Sequence, residues 1–233
     1  MKNRYGFGEN APGNNSVSNL TSAALKGIVK TLPLRGLSAN DFEFWQHNGY
    51  VIIKNAVNFE AVAATVRLLW EFQEMDPKDS KSWYRPQLRE NKLQELNNSG
   101  MVEYYNNQVL WNNRQNLRVY ETFVDLWDRE DLWVTIDRAY FNPPNRAGRY
   151  FSGFIHWDED TSLTLLTVNL QGVPALSETT LETGGFQCVP ALYCDLEQWR
   201  LRQPAERNPF VPDLNSYETE YVPMKAGELL IWN

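Results

Sequence analysis

The sequence predicts an α+β chain: helices in its first half, then a run of short strands forming a double-sheet jelly roll. Three observations carry this. Phe59 to Met75 repeats its apolar residues at helical spacing. From Leu132 onward, short apolar segments alternate with Pro, Gly and acidic turns. The 233 residues are 42% hydrophobic and 13% aromatic, with nine tryptophans, enough for a packed β-rich interior or a lined pocket.

Residues 1–20 are rich in Gly, Asn and Ser and read as a flexible arm, and residues 21–37 as a short helix before Pro33. A single domain is expected over 38–233. Ser38-Ala-Asn-Asp41 has the form of a capping box, with a carboxylate three residues after the N-cap. The helix it opens carries Phe42, Phe44 and Trp45 and should end at Asn48-Gly49, where Gly suits a left-handed cap. Tyr50–Ile53 follows as a β-branched strand.

In the next helix, Phe59, Val62, Ala63, Val66, Leu69 and Trp70 share one face, and Asp76-Pro77 stops it. Residues 78–100 read as a polar loop anchored by Trp83 and Tyr84. Residues 101–131 read as mainly helical, burying Val109, Leu110, Val119, Phe123 and Leu126. Strands are expected at Trp133–Ile136, Ala139–Phe141, Leu163–Gln171, Gly185–Val189 and Glu228–Trp232, and also around His156. No internal repeat is present.

A net charge of -7 and no basic stripe argue against nucleic-acid binding, because phosphate contacts need clustered Lys and Arg. No signal-peptide pattern opens the chain and no apolar run reaches membrane-span length. The expectation is a soluble cytoplasmic protein with Cys188 and Cys194 as reduced core or near-core thiols.

The most informative stretch is Ser152–Asp160, which contains His156-Trp157-Asp158. On a strand, residues two apart point the same way. An imidazole and a carboxylate so placed make two thirds of a 2-His-1-carboxylate triad, which holds non-haem Fe(II) with open positions. A His-x-Asp spacing alone is common by chance. Here an apolar Phe154-Ile155 precedes it and an acidic Glu159-Asp160 turn follows. The other histidine, His47, sits at the polar end of the first helix, where the helix dipole favours a capping or solvent-facing role over ligation.

Four segments together resemble the phytanoyl-CoA dioxygenase-like family of Fe(II)/2-oxoglutarate-dependent oxygenases. They are Phe44–Ile53, Asn142-Pro-Pro144 leading to His156-Trp-Asp158, Glu182–Pro190 with its Gly184-Gly185 turn, and Lys225–Trp232. They occur in the family's order over roughly residues 40–233.

The resemblance implies a cupin-like double-stranded β-helix with N-terminal helices packed on it, and residues 38–233 as a single oxygenase domain. His156 and Asp158 would be iron ligands, with Fe(II) and 2-oxoglutarate as cofactors. O2 and a small-molecule substrate would be the partners, and 2-oxoglutarate would leave as succinate and CO2. Halogenating relatives lack the carboxylate, so the presence of Asp158 implies hydroxylation or a related oxidation. By position, Arg138 and Gln171 fall where relatives contact the co-substrate. Arg138 could instead pair with Asp131 or Asp137, and Gln171 could cap a strand. Gly184-Gly185 reads as a tight turn into a buried strand ended by Pro190, with Cys188 packing as a small hydrophobe.

The family's distal histidine, and the arginine that grips the far carboxylate, follow the strand that here ends at Trp232. The sequence ends at Asn233. Two expectations follow: a portion of a longer enzyme lacking the last part of its barrel, or a natural short form with impaired iron binding. An apolar strand at Gly227–Trp232 with nothing after it favours the first. The competing functions are a non-catalytic cupin-like binding protein and a metal-binding cupin of different chemistry, such as an isomerase. The Ser80–Trp111 stretch reads equally as a lid over the site or as a surface elaboration.

Overall fold

The computed structural model describes residues 27–90, 100–148, 150–151, 153–164, 166 and 169–233. The arm expected over 1–20 and part of the helix expected over 21–37 lie outside the described residues. Residues 27–37 are turns, bends and extended chain rather than helix. The architecture is mixed α/β: among the described residues, five helices and three small antiparallel sheets. No helix there is long and apolar enough to cross a membrane.

Helix α1 (Ala39–Asn48) begins as the sequence predicts. The Asp41 N–H donates to Ser38 Oγ at 3.1 Å and the Ser38 N–H returns to Asp41 Oδ2 at 3.0 Å. It ends at Gly49, whose φ of 77° is left-handed and whose N–H donates to the Trp45 carbonyl at 2.8 Å. The chain then enters β1 (Tyr50–Ile53).

Helix α2 (Phe59–Phe72) is capped by Asn58 and buries Val62, Thr65 and Leu69. Phe59, expected on the buried face, is exposed because it is the first helical residue and its side chain points back past the helix end. Trp83 and Tyr84 do anchor the loop that follows: Trp83 Nε1 donates to the Asp76 carbonyl and Tyr84 Oη to the Pro144 carbonyl, each at 2.8 Å.

After β2 (Met101–Val102), the expected helical stretch is two helices, α3 (Gln108–Arg114) and α4 (Leu117–Trp127), with Asn116 capping the second. β3 (Ala139–Tyr140) pairs with β2. The strand expected at Trp133–Ile136 does not form: these residues have no ladder partner and Trp133 is 91% exposed. A β-branched run becomes a strand only where a pleated surface receives it.

Of the strand expected over Leu163–Gln171, residues 165, 167 and 168 lie outside the described residues, the other residues before Gln171 are in no strand, and Gln171 opens β4 (Gln171–Pro174). β5 (Phe186–Cys188), helix α5 (Pro190–Arg202), β6 (Glu220–Val222) and β7 (Leu229–Trp232) complete the chain. Pro190 ends β5 and also serves as the first residue of α5, where its missing N–H costs nothing. This helix, with Leu192, Leu196 and Trp199 at helical spacing, is not anticipated by the strand-only reading of the second half.

The main sheet has the order β1-β7-β4, with β7 antiparallel to both neighbours. Val51, Ile53, Leu229 and Ile231 face a cluster with Phe42 and Trp45 of α1 and Leu126 of α4. The alternate residues Tyr50, Ile52, Leu230 and Trp232 face a second cluster with Val222 and Phe186 of the β5–β6 sheet and with Met224 just beyond it. The central sheet is therefore covered by helices on one face and by another sheet on the other. Cys188 packs in the second cluster, where burial and then the Glu220 carboxylate push its thiol up to about 12. Cys194, by contrast, is exposed and donates to the His47 carbonyl.

The segment before α1 is tied to α4 through two aspartates. The buried Asp125 carboxylate accepts the backbone N–H groups of Arg35, Gly36 and Leu37 at 2.8–3.0 Å. A Cβ on Gly36 would lie 2.7 Å from the Thr122 nitrogen, so only glycine allows this approach. Asp128 accepts from Thr31 and Leu32 and pairs with Lys30 at 2.8 Å. Burial opposes ionisation of Asp128, but the Lys30 ammonium, the Thr31 hydroxyl and two backbone N–H groups outweigh it. The carboxyl is held well below the usual range.

A depressed folded-state pKa stabilises above the unfolded value and is lost as pH falls through the folded one. The Asp128 contribution should be intact above about pH 4 and decline below it. Wild type should therefore lose stability between about pH 4 and pH 2 more steeply than Asp128→Asn, as read by urea midpoints across that range.

Gly49 gives a second expectation. A Cβ there would approach the Tyr193 ring to 2.7 Å, and its backbone is left-handed. Gly49→Ala should cost about 2–4 kcal/mol, combining backbone strain with overpacking, measured by equilibrium urea unfolding.

Candidate functional site

His156 and Asp158 lie in a loop rather than on a paired strand, which corrects the expected setting but not its geometry. The extended chain still alternates. Ile155 and Trp157 turn inward onto the cluster of Leu166, Val189, Leu192, Leu196 and Trp199, the last three being α5 side chains. His156 and Asp158 turn outward, 44% and 49% exposed, with Nε2 and Oδ1 3.4 Å apart. Packing of the intervening Trp157 supplies the two-residue alternation that a ladder would otherwise impose.

Several contacts hold the loop in place. The Trp157 N–H donates to the Phe210 carbonyl at 2.8 Å, and the indole lies 6.1 Å from that of Trp199. Thr161 Oγ1 donates to the Pro209 carbonyl at 2.5 Å and accepts from Arg207 at 2.7 Å. Arg200 of α5 donates to the Thr161 carbonyl at 3.0 Å and also to that of Leu163. Asp160 is used locally, accepting from the Ser162 N–H and hydroxyl.

The start of β4 and the residues just before it approach from the other side. Gln171 Nε2 donates to Asp158 Oδ2 at 2.6 Å, and Asn169 Nδ2 donates to Glu159 Oε1 at 3.3 Å. Burial raises the Glu159 carboxyl. The Asn169 amide opposes that rise, and the Asp158 and Asp160 charges add to it. His156 Nδ1 faces the Phe154 carbonyl at 3.4 Å, and the Phe154 ring lies tilted beside the imidazole with centroids 4.5 Å apart. With the proton on Nδ1, the Nε2 lone pair is left on the Asp158 side.

The pair suits two adjacent positions of a six-coordinate cation. Donors at such positions, with bonds of about 2.1 Å, lie about 3 Å apart. Closing 3.4 Å to that separation needs only a small side-chain adjustment. Among the described residues no group of three His, Cys, Asp or Glu side chains is placed to hold a metal ion. His47 is exposed in the last turn of α1.

The other two candidate residues are engaged by carboxylates. Gln171 meets Asp158. Arg138, next to β3, contacts Asp137 through its backbone N–H at 2.7 Å and its Nε at 3.2 Å. Asp131, the other expected partner of Arg138, pairs with Arg129. The sequence did not reveal Trp157 or the Phe210 carbonyl as the groups that hold the loop. The inward alternation of Ile155 and Trp157 was the available signal for the first.

Against known proteins, the chain is 22% identical to a Dictyostelium discoideum protein named "Putative phytanoyl-CoA dioxygenase". The alignment runs over 241 residues and takes in 83% of this chain and 68% of that protein. No protein-family model matches the chain, and no solved structure matches it significantly. The similarity points to a dioxygenase-like protein.

Trp157 is the packed centre of the loop, so Trp157→Ala should lower stability by about 3 kcal/mol, read as a shift of the urea midpoint at unchanged m-value.

Proposed function

We propose that this chain carries the metal-binding part of an Fe(II)- and 2-oxoglutarate-dependent dioxygenase that oxidises a small-molecule C–H bond. The observation that supports it best is the outward-facing pair His156 and Asp158, with donor atoms 3.4 Å apart. The named relative is consistent with that reading. When bound, Fe(II) with 2-oxoglutarate and O2 would supply the oxidising chemistry, with succinate and CO2 as by-products.

The chain's own residues hold and orient. His156 would donate through Nε2 and Asp158 through Oδ1, a neutral and an anionic donor that together suit a divalent ion of intermediate hardness. Trp157 fixes the spacing between them from below. Phe154, in ring contact with His156, gives the site one apolar wall. Gln171 and Arg138 each meet a carboxylate already, so a co-substrate that used either would share it with Asp158 or Asp137.

With two candidate ligands brought together among the described residues, metal binding should be weak. Co(II), a redox-stable stand-in for Fe(II), should bind the wild-type chain and be removed by dialysis against a chelator. His156→Ala and Asp158→Ala should each abolish binding in calorimetric titration. Succinate release from 2-oxoglutarate by the native gene product, supplied with Fe(II) and a reductant, tests the reaction. Absence of Co(II) binding by the wild-type chain would overturn the metal reading, and absence of succinate release would overturn the reaction.

A further inference from the structure

We infer that Gln171 is a positioning residue for Asp158, fixing which carboxylate oxygen a cation can reach; this rests on the proposed reading of His156 and Asp158 as metal ligands. Asp158 sits half-exposed on a loop with no ladder to hold it, so its carboxylate would otherwise rotate freely. One short contact restrains it, the Gln171 amide on Oδ2 at 2.6 Å. With Oδ2 so occupied, Oδ1 is the oxygen left beside His156 Nε2 at 3.4 Å.

Gln171 can do this because of where it stands. It is the first residue of β4 and lies directly opposite Trp232 of the central strand β7, which in turn lies opposite Tyr50 of β1. Directly paired residues share a face, so Gln171 projects on the side of Trp232, toward the second sheet. A side chain rooted in a paired strand is a firmer support than one on the loop itself.

The chemical consequence concerns coordination number. A free carboxylate can bind a cation through both oxygens and take two positions. With one oxygen hydrogen-bonded, it binds through the other and takes one, leaving an additional position for a co-substrate or O2. The amide donor is neutral, so it restrains Asp158 without cancelling its charge. Asn169 makes a parallel contact with Glu159, and that contact leaves the Asp158 oxygens untouched. The two amides therefore supply a built-in control.

Co(II) titration of the full chain, followed by calorimetry and by its visible absorption, tests the inference. Gln171→Met keeps the length and removes the donor. It should weaken Co(II) binding about 10–100-fold, the usual effect of losing a partner of a metal ligand. It should also change the absorption band shape, while the thermal midpoint of the metal-free protein stays the same. Gln171→Leu should behave alike and replaces the Met variant if that one does not fold. Asn169→Leu should match wild type in affinity and spectrum.

Wild-type affinity and spectrum in Gln171→Met would overturn the positioning role and leave the metal reading standing. An equal loss in Asn169→Leu, or a lowered metal-free midpoint in both Gln171 variants, would make the contact merely structural. No Co(II) binding by wild type would remove the metal reading, and this inference with it.

Discussion

The double pairing of β7 is the constraint on which the rest depends. Four residues, Leu229–Trp232, are hydrogen-bonded to β1 on one edge and to β4 on the other. Leu229 and Ile231 enter the helix-covered cluster, and Leu230 and Trp232 enter the cluster shared with β5–β6. A strand in this position leaves no face or edge for water, and its register is fixed because a one-residue slip would exchange the two clusters. It also joins distant parts of the sequence, placing Tyr50 and Gln171 in one row across the sheet.

The candidate site takes its order from that row and from α5. The His156–Asp158 loop has no backbone ladder of its own, yet it is held from two directions. Trp157 is packed from below by α5 and bonded through its N–H to Phe210. Gln171 restrains Asp158 from the end of the sheet. The loop backbone is thus positioned by apolar burial and the Asp158 carboxylate by a polar contact. Burial is strong but non-directional, whereas a short amide–carboxylate bond chooses an oxygen.

Elements with a local physical signature were legible in the sequence. The Ser38 capping box, the left-handed Gly49 and β1 are all decided within a few residues, and all three form as the sequence predicts. Elements that depend on distant partners were not. Trp133–Ile136 has strand composition but receives no partner, whereas Gln171–Pro174, with a Gly and a Pro, becomes a strand because β7 lies beside it. Helix α5 was hidden by reading Pro190 only as a strand end, although proline also suits the first helical position. At the site, the His-x-Asp spacing correctly foretold a shared face, for a reason different from the expected strand. The contact between Gln171 and Asp158 could not be read, because it depends on where the β4 register starts.

The exposure of the pair bears on what kind of ligand could complete it. His156 and Asp158 are each nearly half open to solvent, so a bound cation would retain water on its outer side. Oxidation of a C–H bond demands that water be excluded at that step. Phe154, in ring contact with His156 yet 71% exposed, offers apolar surface beside the pair. A substrate with an apolar face could pack on that ring and displace water from the cation at the same time. A fully polar one would leave both the ring and the open coordination positions wet. On the proposed dioxygenase reading, a substrate that packed on this ring would itself supply part of that desolvation.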